Sequence, residues 1–418
     1  MCDSKSDQPE NRQDCATAAQ RVVEVLQNAH FVAYLAGGCV RDRLMGLKPK
    51  DYDVATNAKP DEVRNIFKRT IPVGEHFGVI LVQIMGCRIE VATFRTEGEY
   101  KDFRRPHSVH FTTAQEDANR RDFTINGVFY DPVADKIIDF VGGENDIQNK
   151  IIRAIGNPDD RLAEDHLRAL RAVRFAARFG FTIEEQTKQA VQQHAGELAG
   201  VSRERIGQEL RLMLLEPSSH RAGILLHEMN LDGPVFNEPP QPNNPLTILA
   251  GINYAKPQPA PFATALAAIA LDRKVDHDPH LIRRWRKSLL LTNDERDATR
   301  RILTIFHTIR KPDLFTQDIA FRKRLYAKPL FSQSLSILTT FDNILAKQVR
   351  DDLSILLKTP SGISPEPFIN GDDLNNMGLA PGPAFKTILD EVYDAQLREE
   401  ITTRKQALRL AHQLITDV

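Results

Sequence analysis

Two aspartates separated by one residue, in the stretch "DYDVAT", are the first candidates for chemistry in this sequence. The stretch has the alternation of a strand, so Asp51 and Asp53 are expected to point to the same face. Two carboxylates on one face repel each other unless a cation lies between them, and Mg²⁺ suits such oxygen ligands. Glu90, in the later stretch "RIEVATF", would add a third carboxylate from a neighbouring strand. The pattern predicts phosphoryl transfer assisted by two metal ions.

A pair of glycines precedes the aspartates. The stretch "FVAYLAGG" predicts a short buried strand ending at the glycines, and "CVRDRLMGL" predicts a helix that begins directly after them. Because Gly37 and Gly38 carry no side chains, a triphosphate could approach the main-chain N–H groups and the helix N-terminus. Arg41 lies in the first turn of that helix, where it could contact phosphate. Each feature is common by itself, but their order favours nucleotidyl transfer.

A second motif, "RRDFTINGVFYD", follows a long charged segment. It places Arg120 and Arg121 at the edge of the expected cleft, where two guanidinium groups could clamp phosphates or the ribose-bearing side of a nucleotide. The alternative is an ion-paired Arg-Arg-Asp at the start of a strand, and the motif alone does not decide between the two.

A third motif, "EDHLRALRAVRF", has helical periodicity. At about 100° per residue, Asp165, Arg168 and Arg171 step round a helix by about 60° each time and can share one broad face. Arg174 is about half a turn from Asp165, so we expect it to pack or pair within the helical body. A carboxylate can accept from the amino group of cytosine or adenine while a guanidinium donates to the same base edge. Asp165 and Arg168 could therefore select C and A without a template, although a solvated ion-pair ladder has the same spacing.

The patterns of the whole chain predict several regions. We expect a disordered tail over residues 1–15, a small mixed α/β head over 16–155, a helical neck over 156–230 and a helical body and tail over 231–418. The Pro-rich stretch 234–261 is expected to be a loop or boundary, and the charged segment 95–118 a long mobile loop with a strand in "SVHF".

Composition excludes some classes of protein. No apolar run approaches the roughly 20 residues of a membrane span, and the polar N-terminus lacks the apolar core of a signal peptide. The net charge of -1 excludes a polycation, but 55 Lys and Arg residues can still gather on one face. Four cysteines (Cys2, Cys15, Cys39 and Cys87) have no metal-like spacing. We therefore expect a reduced, cytoplasmic protein without a membrane partner.

The three motifs, with "SRERIGQEL" after them, resemble those of the class II tRNA nucleotidyltransferases, the CCA-adding enzymes and their relatives in the DNA polymerase β superfamily. The resemblance covers about residues 20–230 and returns at 369–412. It implies an α+β fold, with a small mixed α/β polymerase-β-like nucleotidyltransferase head followed by an elongated all-α neck, body and tail. One departure is Gly127, where the family's second motif usually carries alanine and where we expect only a looser helix start.

The resemblance also implies roles for individual residues and for partners. Asp51 and Asp53 would bind Mg²⁺. The residues expected to contact the nucleotide and its triphosphate are Gly37, Gly38, Arg41, Arg120, Arg121 and Asn126. Asp165 and Arg168 would read the base, with Arg171 and Arg174 close to them. Glu90 rests on the strand pattern alone. ATP and CTP would be the substrates, and the acceptor arm and elbow of tRNA would bind the head and the helical body.

Several activities occur on this family scaffold. The stretch "VGEHFGVILVQI" resembles the nucleotidyltransferases rather than the poly(A) polymerases, and "TEGEYKDFRRPHSVHF" resembles a flexible loop that CC-adding relatives lack. Complete CCA addition is favoured, and terminal A addition, with a separate CC-adding partner enzyme, stays open. A tRNA-binding protein without catalysis is disfavoured by the intact Asp51 and Asp53, and a small-molecule nucleotidyltransferase would not need the helical body.

Two motifs in the second half of the chain remain. In "HLIRRWRKSLL", the basic residues Arg283, Arg284, Arg286 and Lys287 are candidates for contacts with the tRNA backbone, and Trp285 is expected in the core. In "DHDPH", His277 and Asp278 suggest a metal-dependent phosphohydrolase, but further ligands at a recognisable spacing are not evident. We expect a loop there.

Overall fold

The computed structural model describes residues 11–74, 78–97, 109–239, 245–252, 261–380 and 382–416. The chain divides into two compact units. One contains the chain up to position 243 together with Ser288–Leu290, and the other contains positions 244–287 and 291–418. The expected head and neck thus belong to one unit, which ends inside the Pro-rich stretch rather than at residue 230. None of the described helices combines the length and apolar character needed to cross a membrane.

The strands belong to the first unit. They are β1 (Ala33–Ala36), β2 (Asp53–Thr56), β3 (Thr70–Gly74), β4 (Val79–Ile84), β5 (Cys87–Thr93), β6 (Arg95–Glu97), β7 (Val109–Phe111), β8 (Val128–Asp131), β9 (Lys136–Asp139), β10 (Ile151–Ile152) and β11 (Thr182–Ile183). Seven of them form one mixed sheet in the order β3-β4-β5-β2-β1-β8-β9, while β6 pairs with β7 and β10 with β11.

The first helices of this unit alternate along the chain with the strands, and the later ones follow the last strand. They are α1 (Asn11–Asn28), α2 (Gly38–Leu44), α3 (Pro60–Ile66), α4 (Ala114–Asn119), α5 (Gly143–Gln148), α6 (Pro158–Glu164), α7 (Leu167–Phe179), α8 (Glu185–Gln193), α9 (Arg203–Leu214), α10 (Ser219–Glu228) and α11 (Asp232–Phe236). Short 3₁₀ helices span Thr124–Asn126 and Ala195–Gly200.

Among its described residues, the second unit contains helices joined by loops and turns, with no strand. Its helices are α12 (Thr247–Ala250), α13 (Pro261–Asp272), α14 (Leu281–Leu289, which ends in the first unit), α15 (Asn293–Ile309), α16 (Ile319–Tyr326), α17 (Phe331–Phe341), α18 (Asn343–Leu357), α19 (Gly371–Asn376), α20 (Pro383–Leu397) and α21 (Arg404–Thr416). Leu314–Thr316 forms a 3₁₀ helix. As expected, Trp285 is fully buried.

The predicted order of elements in the head is confirmed. A strand, the glycine pair, a helix and a second strand follow one another as β1, Gly37, α2 and β2, and the apolar stretch around Gly86 forms the hairpin of β4 and β5. Met85 and Gly86, both with positive φ, make the two-residue turn that matches the twist of paired strands. Alternating buried residues of β5 pack with α1 in the main core of the head.

Three local expectations need correction. Helix α1 begins at Asn11, so the expected tail cannot extend to residue 15. The segment after Pro158 is not free of strands, because Thr182–Ile183 pairs with Ile151–Ile152. The Pro-rich stretch contains the end of α11 and all of α12 rather than a continuous loop, whereas the expected boundary is confirmed, because the two units divide between positions 243 and 244. The strand expected in "SVHF" is confirmed as β7, which pairs with β6, and residues 98–108 of the expected mobile loop lie outside the described residues.

The cysteines also differ from expectation. Helix α1 lies against β5, and this packing brings Cys15 beside Cys87, with their Cα atoms 5.5 Å apart in a disulfide. Such a separation suits a disulfide without backbone movement. The expectation of reduced cysteines is therefore wrong for this pair. Cys39 is free and buried, and burial raises the pKa of its thiol to about 11.

Candidate active site

The acidic part of the site lies where two parallel strands run side by side. Strands β2 and β5 pair with Asp53 directly opposite Glu90, so the two carboxylates lie on the same face of the sheet. Solvent reaches Asp53 through the cleft, but the surrounding protein removes part of its hydration. This desolvation, together with the charges of Glu90 and Asp51, raises the pKa of Asp53 to about 6. Asp51 lies outside the strand, contrary to expectation, and is exposed just before it.

The glycine pair lies at the turn from β1 into α2. Gly37 has φ of 70° and ψ of -129°, a conformation that favours glycine. A Cβ atom at Gly37 would also lie 3.2 Å from Nη1 of Arg121. Gly38 begins α2. The main chain of this turn is therefore exposed to the cleft, and larger side chains at Gly37 or Gly38 would cover it.

Arg41 is buried beneath the glycine turn. Its Nε and Nη2 donate to Asp42 at 2.9 and 2.6 Å, and its Nη1 donates to the side-chain oxygen of Asn126 at 2.7 Å. The guanidinium also lies over the ring of Phe179, 4.6 Å from the centroid. Arg41 thus holds Asn126 in place. The expected contact between Arg41 and the triphosphate stays a prediction, and it would require the guanidinium to give up one of these partners.

Arg120 and Arg121 share one carboxylate that the sequence motifs did not identify. Asp117, in α4, accepts from Nε of Arg120 at 2.9 Å and from Nη2 of Arg121 at 3.0 Å. Arg121 also donates from Nη1 to the main-chain oxygen of Asn126 at 3.0 Å. Both arginines line the cleft and are about one-fifth exposed. Both arginines are therefore ion-paired, but to Asp117 of α4 rather than to the adjacent Asp122, and they do not lie at the start of a strand.

Asp122 is the buried centre of a second network. Its carboxylate accepts from Nε and Nη2 of Arg171 at 2.8 and 2.7 Å and from the side-chain amide of Asn126 at 2.9 Å. Burial by itself raises the pKa of a carboxyl group, but Arg171 and the hydrogen bonds from Asn126 and the Phe123 N–H outweigh it. They lower the pKa of Asp122 to about 2. Residue 126 ends a 3₁₀ helix, so Gly127 does not lie at a helix start.

The expected base-reading pair does not share one helix. Asp165 has extended backbone at the end of α6, and α7 begins two residues later, so the helical-face argument is wrong for Asp165. Its carboxylate is held by Arg205, which donates from Nη2 at 2.6 Å and from Nη1 at 3.1 Å. Nη1 of Arg168 donates to Glu164 at 2.6 Å. Both side chains still line the cleft, each fixed by a charged partner.

Arg174 pairs within the helical body. Its Nε donates to Glu209 of α9 at 2.6 Å, and Nη1 of Arg171 lies 3.7 Å from the same carboxylate. Glu209 is buried, so these contacts carry most of the compensation for its charge. The guanidinium of Arg174 also lies 4.3 Å from the ring centroid of Phe175. Arg174 borders the cleft from this fixed position.

These groups meet in a single cleft of about 700 Å³. Its lining includes all thirteen candidate residues: Gly37, Gly38, Arg41, Asp51, Asp53, Glu90, Arg120, Arg121, Asn126, Asp165, Arg168, Arg171 and Arg174. Arg95, Arg178 and Phe175 also line it. The sheet contributes carboxylates and the opposite side contributes mostly arginines. Such a cleft is suited to a polyanionic nucleotide bound with cations.

The sequence motifs missed the partners that fix these arginines and Asp165. They are Asp117, Asp122, Glu164, Arg205 and Glu209. Some signal was available, because Asp122 lies inside "RRDFTING" and "SRERIGQEL" contains both Arg205 and Glu209. Their pairing depends on how the helices pack, which periodicity does not specify.

Two family descriptions match parts of the chain. Residues 33–153 match "Poly A polymerase head domain" and residues 180–241 match "Probable RNA and SrmB- binding site of polymerase A". The first match contains the sheet carboxylates and the second contains α9.

Whole-chain comparisons agree with each other. A CCA-adding enzyme of Geobacillus sp. (strain WCH70) is 32% identical over 93% of this chain and 94% of its own length. A CCA-adding enzyme of Lactobacillus johnsonii is 33% identical over 95% and 97%. The crystal structure of the Bacillus stearothermophilus CCA-adding enzyme in complex with CTP superimposes with a TM-score of 0.76, at 29% identity over 96% of this chain and 98% of that one.

Proposed function

Because this chain belongs to the CCA-adding enzyme family, we propose that it adds C, C and A to tRNA 3′ ends from CTP and ATP in the cleft described above. The observation that carries the proposal is the pairing of Asp53 with Glu90 on one face of the sheet, in a cleft that several arginines also line. The helical unit would hold the tRNA, since an enzyme that acts on a small molecule would not need such a unit. The proposed compartment is the cytoplasm.

The carboxylates fit the divalent metal on which this family depends. Asp53 has its pKa raised to about 6 by desolvation and by the neighbouring charges of Glu90 and Asp51. A divalent cation would relieve this repulsion, and an all-oxygen donor set favours Mg²⁺ over softer ions. We propose that Asp51, Asp53 and Glu90 hold Mg²⁺. When bound, it would favour loss of the proton from the tRNA 3′-hydroxyl and stabilise the leaving pyrophosphate.

The residues of this chain would position both reactants. In the reaction, the 3′-oxygen of tRNA bonds to the α-phosphorus, the bond to the β-phosphate oxygen breaks, and the hydroxyl proton is lost. Arg120 and Arg121, fixed on Asp117, would offset the charge of the phosphates. The open backbone at Gly37 and Gly38 would admit them. No nucleic-acid template is needed for any of these contacts.

Base choice would depend on Asp165 and Arg168. Arg205 holds Asp165 by two hydrogen bonds and so orients its carboxylate, which can accept from the amino group of C or A. Uracil and guanine would present a carbonyl oxygen to it instead. Asp165→Asn would replace part of this acceptor with a donor. We expect incorporation of UTP or GTP to rise relative to CTP and ATP in that variant.

The first experiment uses two tRNA transcripts, one without CCA and one that ends in CC. Each is incubated with the protein, Mg²⁺ and labelled CTP, ATP or both. Extension of the first transcript by C, C and A supports the proposal. Extension of only the second, by a single A, would replace it with terminal A addition, and a long A tail would replace it with poly(A) synthesis.

Variants then test the site. Glu90→Gln and Asp53→Asn should each lower the rate of incorporation more than about 100-fold, the scale on which removal of one electrostatic catalytic group acts. Binding of tRNA, measured by mobility shift, should not change. Asp61→Asn, which alters an exposed carboxylate of α3 outside the cleft, is the matched control and should retain full activity. A Glu90→Gln variant with wild-type rates would contradict the role of Glu90.

A further inference from the structure

A second cluster of ligating side chains belongs to the helical unit and shares no residue with the cleft. Asp276 and His277 are in the loop between α13 and α14, and His307 is in the last turn of α15. Within the described residues, this is the one group of three or more such side chains whose donor atoms all lie within 4.8 Å of one another. The sequence showed no further ligands for His277 at a recognisable spacing, and the structure places two ligating side chains beside it, those of the preceding Asp276 and of a histidine thirty residues away. Asp278 is not part of this cluster and pairs with Arg284.

The distances within the cluster match those between ligands of one ion. An Oδ2 atom of Asp276 lies 3.2 Å from Nε2 of His307 and 3.6 Å from Nε2 of His277. In a tetrahedral site with metal–ligand bonds of about 2.0–2.1 Å, neighbouring donor atoms are about 3.3 Å apart. The two imidazole rings lie with centroids 5.1 Å apart. The side chains can thus converge on one ion with little movement.

The orientation of His307 distinguishes the cluster from an ordinary hydrogen-bonded triad. Its Nε2 is buried and makes no hydrogen bond to any described residue, although the Asp276 oxygen is only 3.2 Å away. The two atoms are close, but their geometry is not that of a donor aimed at an acceptor. Two ligands of the same ion have this relation, because each directs its lone pair at the metal rather than at its neighbour.

We propose that Asp276, His277 and His307 bind one transition-metal ion of the Zn²⁺ class. Two imidazoles and one carboxylate suit Zn²⁺ and its neighbours, whereas Mg²⁺ and Ca²⁺ prefer ligand sets made of oxygen. The buried Asp276 side chain, 5% exposed, supplies the negative charge, and the 79% exposed His277 closes the site from the solvent side. Three protein ligands leave a fourth position for water.

The site is separate from the carboxylates of the cleft. Its ligands all belong to the second compact unit, whereas Asp51, Asp53 and Glu90 belong to the first. The two sites also differ in ligand type, since the cleft offers only oxygen. Binding of Zn²⁺ to the histidine cluster should therefore be measurable while a large excess of Mg²⁺ occupies the carboxylates. This inference does not depend on the proposed function.

The experiment measures Zn²⁺ binding to the full chain after removal of any affinity tag. The apoprotein is titrated with Zn²⁺ in excess Mg²⁺ against a chromophoric chelator, and bound metal is counted after dialysis. We compare the wild type with His277→Ala and His307→Ala. The matched control is His280→Ala, an exposed histidine of the same loop that is outside the cluster.

Wild type and His280→Ala should bind one Zn²⁺ per chain with equal affinity. Loss of a partner that only orients a metal ligand weakens binding about 10–100-fold, so loss of a ligand itself should weaken it at least about 100-fold. His277→Ala alters an exposed side chain and keeps the test valid should His307→Ala fail to fold, which circular dichroism would reveal. Equal affinity of wild type and His277→Ala, or an equal loss in His280→Ala, would overturn the proposal.

Discussion

The ion pair of the largely buried Asp122 with the partly exposed Arg171 allows a prediction about stability with a defined pH dependence. Asp122 has a side chain that is 10% exposed and a pKa lowered from its ordinary 3.8 to about 2. Each pKa unit corresponds to about 1.4 kcal/mol, so ionisation of Asp122 in the folded state contributes about 2 kcal/mol. Asp122→Asn keeps the shape of the side chain but removes this charge. We expect it to lower the free energy of unfolding by at least about 2 kcal/mol at neutral pH.

The sign of the pH dependence follows from the direction of the pKa shift. Because the folded-state pKa of Asp122 is depressed, its contribution is present above the ordinary pKa and is lost as the pH falls through about 2. The difference between wild type and Asp122→Asn should therefore be constant from pH 7 to 5. At pH 3 it should be smaller by about half, or about 1 kcal/mol.

Urea unfolding at pH 7, 5 and 3, followed by circular dichroism, measures this difference. The control is Glu204→Gln, an exposed carboxylate of α9 in the same compact unit, whose replacement should change stability by less than about 0.5 kcal/mol. If the effect of Asp122→Asn is the same at pH 3 as at pH 7, it does not come from ionisation of the carboxyl group. If there is no effect at pH 7, Asp122 and Arg171 do not form a stabilising pair.

Three further predictions concern other contacts. Arg205→Gln removes the two hydrogen bonds that fix Asp165. The preference of the protein for CTP and ATP over UTP and GTP should therefore fall about 10-fold or more in nucleotide competition assays, with tRNA binding unchanged. Replacing Cys15 and Cys87 by serine opens a loop of sequence separation 72 and should lower the free energy of urea unfolding by up to about 4 kcal/mol; an equal stability of oxidised wild type and variant would refute this. Gly127→Ala would place a Cβ 2.7 Å from a valine side chain and should lower the melting temperature, at a cost of about 1–3 kcal/mol.

The sequence by itself determined the order of elements in the head and thirteen of the residues that line the cleft. Local features carry this information, because the glycine pair needs a positive φ at Gly37 and the β5 stretch alternates along a strand. The inference that Glu90 neighbours the aspartates needed only that its strand lie beside theirs. The register then put it opposite Asp53.

The tertiary structure alone decided which charges pair. Arg205 reaches Asp165 across 40 residues, Glu209 reaches Arg174 across 35, and both contacts depend on how α9 packs near α6 and α7. Helical periodicity specifies which face of a helix is apolar, but not which residue of another helix it meets. It also missed the break at Asp165, where an extended residue separates two helices.

The same limit applies to the cysteines and to the histidine cluster. Cys15 and Cys87 are separated by 72 residues, and His307 lies a helix away from His277, so sequence spacing gave no sign of either contact. Burial of apolar surface drives the packing of the helices and loops. This packing then determines which polar groups lie close together. The sequence therefore defined what chemistry the chain carries, and the packing defined which partners hold it in place.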